Sequence, residues 1–177
     1  MKATFTSSVQ LINIWKAVTK NQFRKMKNSV VTLKSKNIKQ LETVAEKNSN
    51  YFQKNIDCLQ CANCCKTASP IIKPSDTKRI SGYLGISAAQ FISTYLRSDD
   101  DNDYVVNTLP CPFLSNDNSC KIYEVRPLDC SEYPHTRGID YTKRINYQSN
   151  NISFCPISYH TAAAILTHFN EKGNLKS

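Results

Sequence analysis

The sequence predicts a mainly α-helical protein with short β elements, in which an amphipathic helical extension precedes a small, metal-stabilised α+β domain. Three observations support this fold class. Apolar residues recur at helical spacing near the start of the 177-residue chain, helix-capping patterns occur in its middle and at its end, and eight cysteines follow residue 57. Because hydrophobic residues make up only 40% of the chain, a metal site would supplement a modest core.

Residues 1–50 form the predicted basic extension, and residues 51–173 form the predicted cysteine-cluster metal-binding domain. The first segment contains ten basic and two acidic residues, whereas the rest of the chain is nearly neutral. No cysteine occurs before Cys58. The apolar stripe of the extension has the three- and four-residue steps of an amphipathic helix and comprises Leu11, Trp15, Val18, Met26, Val30, Leu33, Ile38, Leu41 and Ala45.

The basic extension is best interpreted as a helix or helical pair that covers an apolar flank of the domain, with lysines on its solvated face. A protein partner bound through the basic helix is an alternative, and binding to nucleic acid or to an anionic membrane surface is less favoured. Another alternative that stays open is that residues 1–50 wrap back onto the domain. Because the chain lacks both a run of about 20 apolar residues and a secretory signal, we expect a cytoplasmic protein.

Capping patterns predict helices after the first cysteines and at the end of the chain. Pro74-Ser75-Asp76 begins one helix, which Gly82 and Gly85 end, and the capping box Ser87-Ala88-Ala89-Gln90 begins the next. A final helix is predicted to begin at Pro156 and to end at Gly173.

Short β elements are predicted between these helices. Residues 104–109 are predicted to form a strand, and residues 122–123 are predicted to pair with a similar segment after a turn at 116–118. A hairpin is suggested by the alternating positions Ile139, Tyr141, Ile145 and Tyr147.

The most specific feature of the chain is a C-x-x-C-x-x-C-C run. Two cysteines separated by two residues can both reach one ion, and thiolates are preferred ligands of soft and borderline metals. In a reducing compartment clustered thiols favour metal over disulfides, and strained geometry disfavours a bond between the vicinal Cys64 and Cys65. All eight cysteines are therefore predicted metal ligands, namely Cys58, Cys61, Cys64, Cys65, Cys111, Cys120, Cys130 and Cys155.

Three arrangements of these ligands stay open. Cys58, Cys61 and one vicinal cysteine could bind a tetrahedral zinc together with a remote cysteine, leaving four thiols for a second ion. Alternatively, the run supplies three ligands of a [4Fe–4S] cluster, and the cysteine of Cys155-Pro156 or Cys111-Pro112 supplies the fourth. The third arrangement is a metal-free redox relay. The vicinal pair favours two centres, or one multi-iron cluster, over a single ion.

Two kinds of side chain outside the run bear on this site. Cys155 is predicted at the N-cap of the last helix, where the helix dipole stabilises a thiolate. His135 and His160 are conceivable further ligands, but a lone histidine is more often a surface or core residue.

Arg126 and two tyrosines are the predicted surroundings of the bound metal or cofactor. Pro127 keeps Arg126 out of helical geometry, so Cys130 is expected in a loop or a single turn. Arg126 is expected to donate hydrogen bonds to thiolates or backbone and to offset their charge, with Tyr123 and Tyr133 packing around the site.

Four ordered motifs cover roughly residues 55–160. They are CLQCANCC at 58–65, CPFL at 111–114, CKIYEVRPLDC at 120–130 and Tyr133-Pro134. In this order they resemble the YkgJ-type cysteine-cluster family, which implies a domain that chelates zinc or iron. The family includes proteins similar to flagellin lysine N-methylases, which transfer methyl groups from S-adenosylmethionine and are associated with an iron–sulfur cluster.

Two residues depart from the family pattern. Ala62 replaces the usual Gly after the second cysteine, which argues against an obligatory positive φ there. Ser131 replaces the usual Arg after Cys130, which removes one cation from the surroundings of an anionic site. Neither position is a predicted ligand.

Two functional classes follow. One is a metal-binding module that holds zinc or iron as a structural or stored ion and acts through partners, since the chain has no Ser-His-Asp order and no phosphate-binding glycine loop. The other is an iron–sulfur enzyme or enzyme subunit, acting in electron transfer or in methyl transfer like a protein lysine N-methylase.

Overall fold

A computed structural model describes residues 6–33, 38–136 and 141–174, without the side chains of residues 171–174. Within these ranges the protein is mainly α-helical, and its sheet consists of two short strands, which confirms the predicted mainly α class with short β elements. Stabilisation of the domain by a metal stays a prediction. None of the helices in the described ranges is both long and apolar enough to cross a membrane. The elements are α1 Ser8–Lys16, α2 Lys20–Thr32, α3 Ile38–Asn55, α4 Cys58–Cys61, α5 Asn63–Thr67, α6 Pro74–Leu84, α7 Ala88–Tyr95, β1 Leu96–Ser98, β2 Tyr104–Val106, α8 Leu128–Glu132, α9 Ile145–Asn151 and α10 Pro156–Asn174.

The chain folds into two compact units. Unit 1 comprises Met1–Gln60 and Pro134–Ser177, and unit 2 comprises Cys61–Tyr133. The first fifty residues therefore share a unit with the C-terminal helices. A domain that begins at residue 51 and folds without those fifty residues stays a prediction.

Unit 1 is a helical unit in which α10 packs against α1, α2, α3 and α9. Capping boxes start the first two helices, because the side chains of Ser7 and Thr19 each accept a hydrogen bond from the backbone N–H three residues later. Most of the apolar stripe of the extension faces the interior of unit 1, whereas Ile38 is 57% exposed. That the stripe covers a flank of the cysteine domain stays a prediction. The core consists of Val30, Leu33, Leu41, Ala45, Tyr141, Ile145, Ile152, Ala162 and Ile165.

Long-range hydrogen bonds join the N-terminal helices of unit 1 to its C-terminal part. The indole Nε1 of Trp15 donates to the carbonyl of Ile152 at 3.0 Å. The Glu42 carboxylate accepts from the backbone N–H groups of Tyr141 and Thr142 at 2.9 and 2.7 Å. His160 Nε2 contacts the Leu11 carbonyl at 2.9 Å, and because a carbonyl only accepts, Nε2 must carry the proton.

Unit 2 is built from short helices and the β1–β2 pair. As predicted, Pro74 begins α6, the left-handed Gly85 (φ 69°) ends it, and Ser87 caps α7 by accepting from the N–H of Gln90. Gly82 lies within α6, so the prediction that it helps to end the helix is wrong. Strands β1 and β2 are antiparallel, with Leu96 opposite Val106. The core consists of Ile72, Ile80, Phe91, Leu96, Phe113 and Ile122.

Several local predictions are wrong. The strand predicted at residues 104–109 ends at Val106, and residues 123–125 form a 3-10 turn that no strand pairs with. The hairpin predicted around Ile145 is instead α9; Ile139 lies outside the described residues. Helix α9 buries Gln148 and Ser149 beside Ile145, and these polar residues hide the helical period in the sequence. Helix α10 continues one residue past Gly173, to Asn174.

Candidate metal centre

Unit 2 brings four thiols from separate parts of the chain into electrostatic contact. The backbone N–H of Cys111 donates to the carbonyl of Cys65 at 2.8 Å, which joins the cysteine run to the next motif. Negative charge on Cys65 raises the pKa of Cys111, Cys120 and Cys130. Negative charge on Cys111 and Cys120 raises the pKa of Cys130 as well. We call Cys65, Cys111, Cys120 and Cys130 the thiol cluster.

The turn at Ala62 leads the chain into the cluster. Ala62 is 4% exposed and has left-handed backbone angles (φ 48°, ψ 20°) between α4 and α5. The prediction that this position avoids a positive φ is therefore wrong. Helix α4 ends at Cys61 and α5 begins at Asn63, so a direction change is required within one residue, and here an alanine makes it. Cys64 and Cys65 then lie in the single-turn helix α5.

A tight loop brings Cys120 back towards Cys111, as the predicted turn at 116–118 requires. Leu114 and Cys120 form an antiparallel bridge, and the N–H of Ser115 donates to the carbonyl of Ser119 at 2.8 Å. The Asp117 carboxylate accepts from the N–H and hydroxyl of Ser119 at 2.9 and 2.7 Å, and these bonds lower the pKa of Asp117.

Cys130 lies in α8, the single turn predicted after Arg126-Pro127. Burial is the main reason that the pKa of the Cys130 thiol is raised far above its usual value, and the charges of the cluster and of Asp129 add to the effect. The pKa values of Cys111 and Cys120 are raised mainly by burial as well.

Cys65 is the thiol of the cluster that ionises most easily. A hydrogen bond from Cys64 is the largest cause that lowers the pKa of Cys65 to about 7, against the opposing effect of burial. The charge of Lys66 and the backbone N–H of Cys65 lower it further. A thiolate, the form that binds metal, is thus accessible at Cys65 near neutral pH.

The donor chemistry of unit 2 fits a soft or borderline metal, because it contains only thiols at the centre. All eight cysteines of the chain carry free thiols. In the described ranges, however, no three side chains of His, Cys, Asp or Glu already converge in a way that could hold an ion. Metal binding by the cluster would therefore require side-chain rotations that bring the sulfur atoms together.

Arg126 lies beside the cluster in the geometry that its position before Pro127 predicts, with φ −57° and ψ 152°. Its guanidinium lies 4.0 Å above the ring of Tyr123 and donates to the Tyr123 carbonyl at 2.9 Å. Its charge lowers the pKa of Cys120, although burial outweighs it. Tyr133 follows α8 and its N–H donates to the Asp129 carbonyl at 3.0 Å. A direct role of these residues in binding a cofactor stays a prediction.

The remaining predicted ligands are divided between the units. Cys61 and Cys64 belong to unit 2, whereas Cys58 and Cys155 belong to unit 1. Cys155 directly precedes α10, and its carbonyl accepts the N–H of Tyr159 at 3.0 Å, consistent with the predicted N-cap. Participation of all eight cysteines stays a prediction.

His135 and His160 both have roles in unit 1 that need no metal. His160 is 8% exposed, donates to the Leu11 carbonyl and stacks on Phe52. His135 has a positive φ of 59°, contacts the ring of Tyr147, and its carbonyl accepts from Gln148. That neither histidine is a ligand stays a prediction.

The sequence analysis missed two residues beside the cluster, Asp76 and Arg79. Both lie on α6 and contact the segment that leads into α8. Their local signal is an acid in the first turn of a proline-initiated helix with an arginine three residues later. That pattern predicts a helix start but gives no indication of a contact about fifty positions away.

Comparison with known proteins gives one family match. The model of the CxxCxxCC family, described as "Putative zinc- or iron-chelating domain", matches residues 57–156, which is more than half of the chain. The "Uncharacterized protein MJ0661" of Methanocaldococcus jannaschii is 33% identical over 84 residues, which cover 45% of this chain and 44% of that protein. The chain thus spans less than half the length of this relative. No solved structure matches the chain.

Proposed function

Because the chain belongs to the CxxCxxCC family of zinc- or iron-chelating domains, we propose that it binds a thiophilic metal through the cysteines of unit 2. One observation carries the proposal. Cys65, Cys111, Cys120 and Cys130 lie within unit 2, where the N–H of Cys111 donates to the Cys65 carbonyl at 2.8 Å and the Leu114–Cys120 bridge returns the chain towards Cys111. Negative charge on Cys65 adds to burial in raising the pKa of the other three thiols, a bound cation would offset that charge, and four thiolates are a sufficient ligand set for zinc.

Beyond these four thiols, the proposal includes the other cysteines, the cellular compartment and a protein partner. Cys61 and Cys64 complete the six thiols of unit 2. Metal binding by Cys58 and Cys155 is proposed as well. A reducing, cytoplasmic compartment is part of the proposal, because these thiols must stay reduced to bind metal. A protein partner recognised through the basic helices of unit 1 also stays a proposal.

A [4Fe–4S] cluster is the second candidate, and two sequence observations favour it. The C-x-x-C-x-x-C spacing and the Cys111-Pro112 pair are both typical of iron–sulfur ligands. When bound, such a cluster would supply one-electron redox chemistry, as an electron-transfer protein or a lysine N-methylase-like enzyme would need. Zinc would supply structure or storage instead.

Serine substitutions test which thiols bind the metal. The reduced protein is loaded anaerobically with zinc, and in parallel with ferrous iron and sulfide, and the metal retained per chain is measured after desalting. We expect Cys65→Ser and Cys130→Ser to lose at least one metal equivalent, since each removes a ligand. Cys58→Ser and Cys155→Ser then test the extension to unit 1. Equal retention by Cys65→Ser, Cys130→Ser and the unsubstituted protein would contradict the proposal.

A further inference from the structure

An ion pair on α6, between the buried Asp76 and the partly exposed Arg79, contacts the segment that leads to Cys130. Asp76 has no exposed surface, and its Oδ1 accepts from Nη2 of Arg79 at 2.7 Å. Its Oδ2 accepts from the N–H of Lys73 at 3.0 Å. A carboxylate buried this completely is costly unless its hydrogen bonds are supplied, and here Arg79 of α6 and the N-cap residue Lys73 supply two of them.

The same pair binds both peptide groups that flank Pro127. Asp76 Oδ1 accepts from the N–H of Leu128 at 3.2 Å, and Nη2 of Arg79 donates to the carbonyl of Arg126 at 2.9 Å. Pro127 itself has no N–H. The N–H of Leu128 and the carbonyl of Arg126 are therefore the backbone donor and the backbone acceptor on its two sides. The pair therefore fixes the path of the chain through the bend before α8.

Leu128 is the first residue of α8, and Cys130 is the third. The first N–H groups of a helix lack partners within the helix, and the buried carboxylate of Asp76 serves one of them from another element. A second bond holds α8, because Asp129 Oδ2 accepts from the N–H of Ile71 at 3.1 Å. Cys130 thus directly follows two anchored residues, Leu128 and Asp129, in a helix of only five residues, which has little rigidity of its own.

We propose that Asp76 and Arg79 are positioning residues for Cys130, which hold the bend at Pro127 so that the Cys130 thiol faces the other thiols of the cluster. This inference rests on the proposed metal binding for its biological meaning, but the positioning itself can be measured on the metal-free protein. Arg79 is the more accessible partner, with 40% of its side chain exposed, and Asp76 is the buried one.

The test is the alkylation rate of each cysteine in the reduced, metal-free, full-length protein, measured by quenched labelling and peptide mass spectrometry. In Asp76→Asn we expect Cys130 to react about 10-fold faster relative to Cys61, the factor that corresponds to losing one charge-assisted hydrogen bond. Arg79→Lys keeps a charge beside Asp76 but loses the planar fork that reaches Arg126, so a smaller change in the same direction is expected. This milder variant also serves if Asp76→Asn fails to fold.

Asp99→Asn is the matched control. Asp99 also lies in unit 2, and its Oδ1 accepts two backbone N–H groups, those of Asp101 and Asp103 at 3.0 and 2.9 Å. It contributes to a turn outside the cysteine motifs, so the alkylation rate of Cys130 should stay unchanged. An equal acceleration of all six thiols of unit 2 in the Asp76 and Arg79 variants would show a general loss of stability and would overturn the inference, as would no acceleration at Cys130.

A second readout separates this inference from the proposed function. Cobalt(II) is titrated into the reduced protein, and the thiolate-to-cobalt charge-transfer band is compared between the unsubstituted protein and Asp76→Asn. The inference predicts a weaker band in the variant, because one thiolate is misplaced. If the unsubstituted protein gives no band while Cys130 is still selectively exposed in Asp76→Asn, metal binding is refuted and the positioning role stands.

Discussion

Replacing Glu42 by glutamine tests whether the N-terminal helices are an integral part of unit 1. Glu42 lies on α3 and receives the backbone N–H groups of Tyr141 and Thr142 at 2.9 and 2.7 Å, almost one hundred positions away. Both donors belong to buried residues. In Glu42→Gln one oxygen can still accept, but the NH₂ group faces the second donor, so one buried N–H loses its partner and the other loses a charged acceptor.

The expected cost follows from these two losses. Hydrogen bonds to a charged group contribute about 1.5–3 kcal/mol, and an unsatisfied buried donor costs about 1–3 kcal/mol. Because Glu42 is only half-buried and the contributions overlap, we expect Glu42→Gln to lower the free energy of unfolding by about 2 kcal/mol. For a chain of this size, that loss corresponds to a decrease in Tm of roughly 4–8 °C.

The assay uses the single tryptophan of the chain. Trp15 is 7% exposed and bonded to Ile152, so its fluorescence reports the unfolding of unit 1 in urea or on heating. Glu46→Gln is the control, because Glu46 is exposed on the same helix and its replacement should change the free energy of unfolding by less than about 0.5 kcal/mol. Equal stability of the two variants would refute the reasoning and would restore the interpretation of residues 1–50 as a separate extension.

Two further predictions concern backbone strain and pH. Ala62→Gly should cost less unfolding free energy than Ala89→Gly, at an exposed position of helix α7, which should cost about 1 kcal/mol. The reason is that relief of the left-handed strain offsets the lost methyl burial at Ala62. Urea denaturation of both variants checks the order, and a larger cost at Ala62 would contradict it. Burial lowers the pKa of His160 below its unfolded value of 6.5, while its bond to Leu11 opposes the shift. The part of the stability of unit 1 that depends on a neutral His160 is therefore complete above pH 6.5. It is lost as the pH falls through the folded-state pKa of His160. His160→Gln, which keeps an N–H donor, should show a smaller loss of Trp15-monitored stability below pH 6.5 than the unsubstituted protein, and an identical pH profile would exclude His160 as the source.

The parts of the fold that the sequence predicts well are those that depend on neighbouring residues. The helix starts at Pro74 and Ser87 and the helix end at Gly85 follow from local capping chemistry, and the structure confirms each of them. Helix α9 was missed because tertiary hydrogen bonds stabilise its buried polar face: Gln148 donates to the carbonyl of His135, and Asn151 donates to that of Pro134. No local pattern contains that information.

For the candidate site as well, the sequence predicts the features that depend on neighbouring residues and misses those that depend on distant ones. Residue type and spacing identify the cysteines as candidate ligands, and Pro127 correctly predicts the conformation of Arg126. The sequence does not reveal that unit 2 contains the thiol cluster while Cys58 and Cys155 belong to unit 1. It also favours the wrong conformation at Ala62, because propensity argues against a left-handed alanine, whereas the short connection between α4 and α5 requires one.

The most direct test of metal binding by the cysteines is a visible spectrum with elemental analysis of the anaerobically purified, full-length protein. We predict at least one equivalent of zinc or iron per chain, with most of it lost in a Cys65→Ser, Cys130→Ser double variant. Broad absorption near ~400 nm with acid-labile sulfide would identify an iron–sulfur cluster, and a colourless protein with stoichiometric zinc would identify a zinc site. A folded protein that contains neither metal, and in which all eight thiols react freely, would contradict the account.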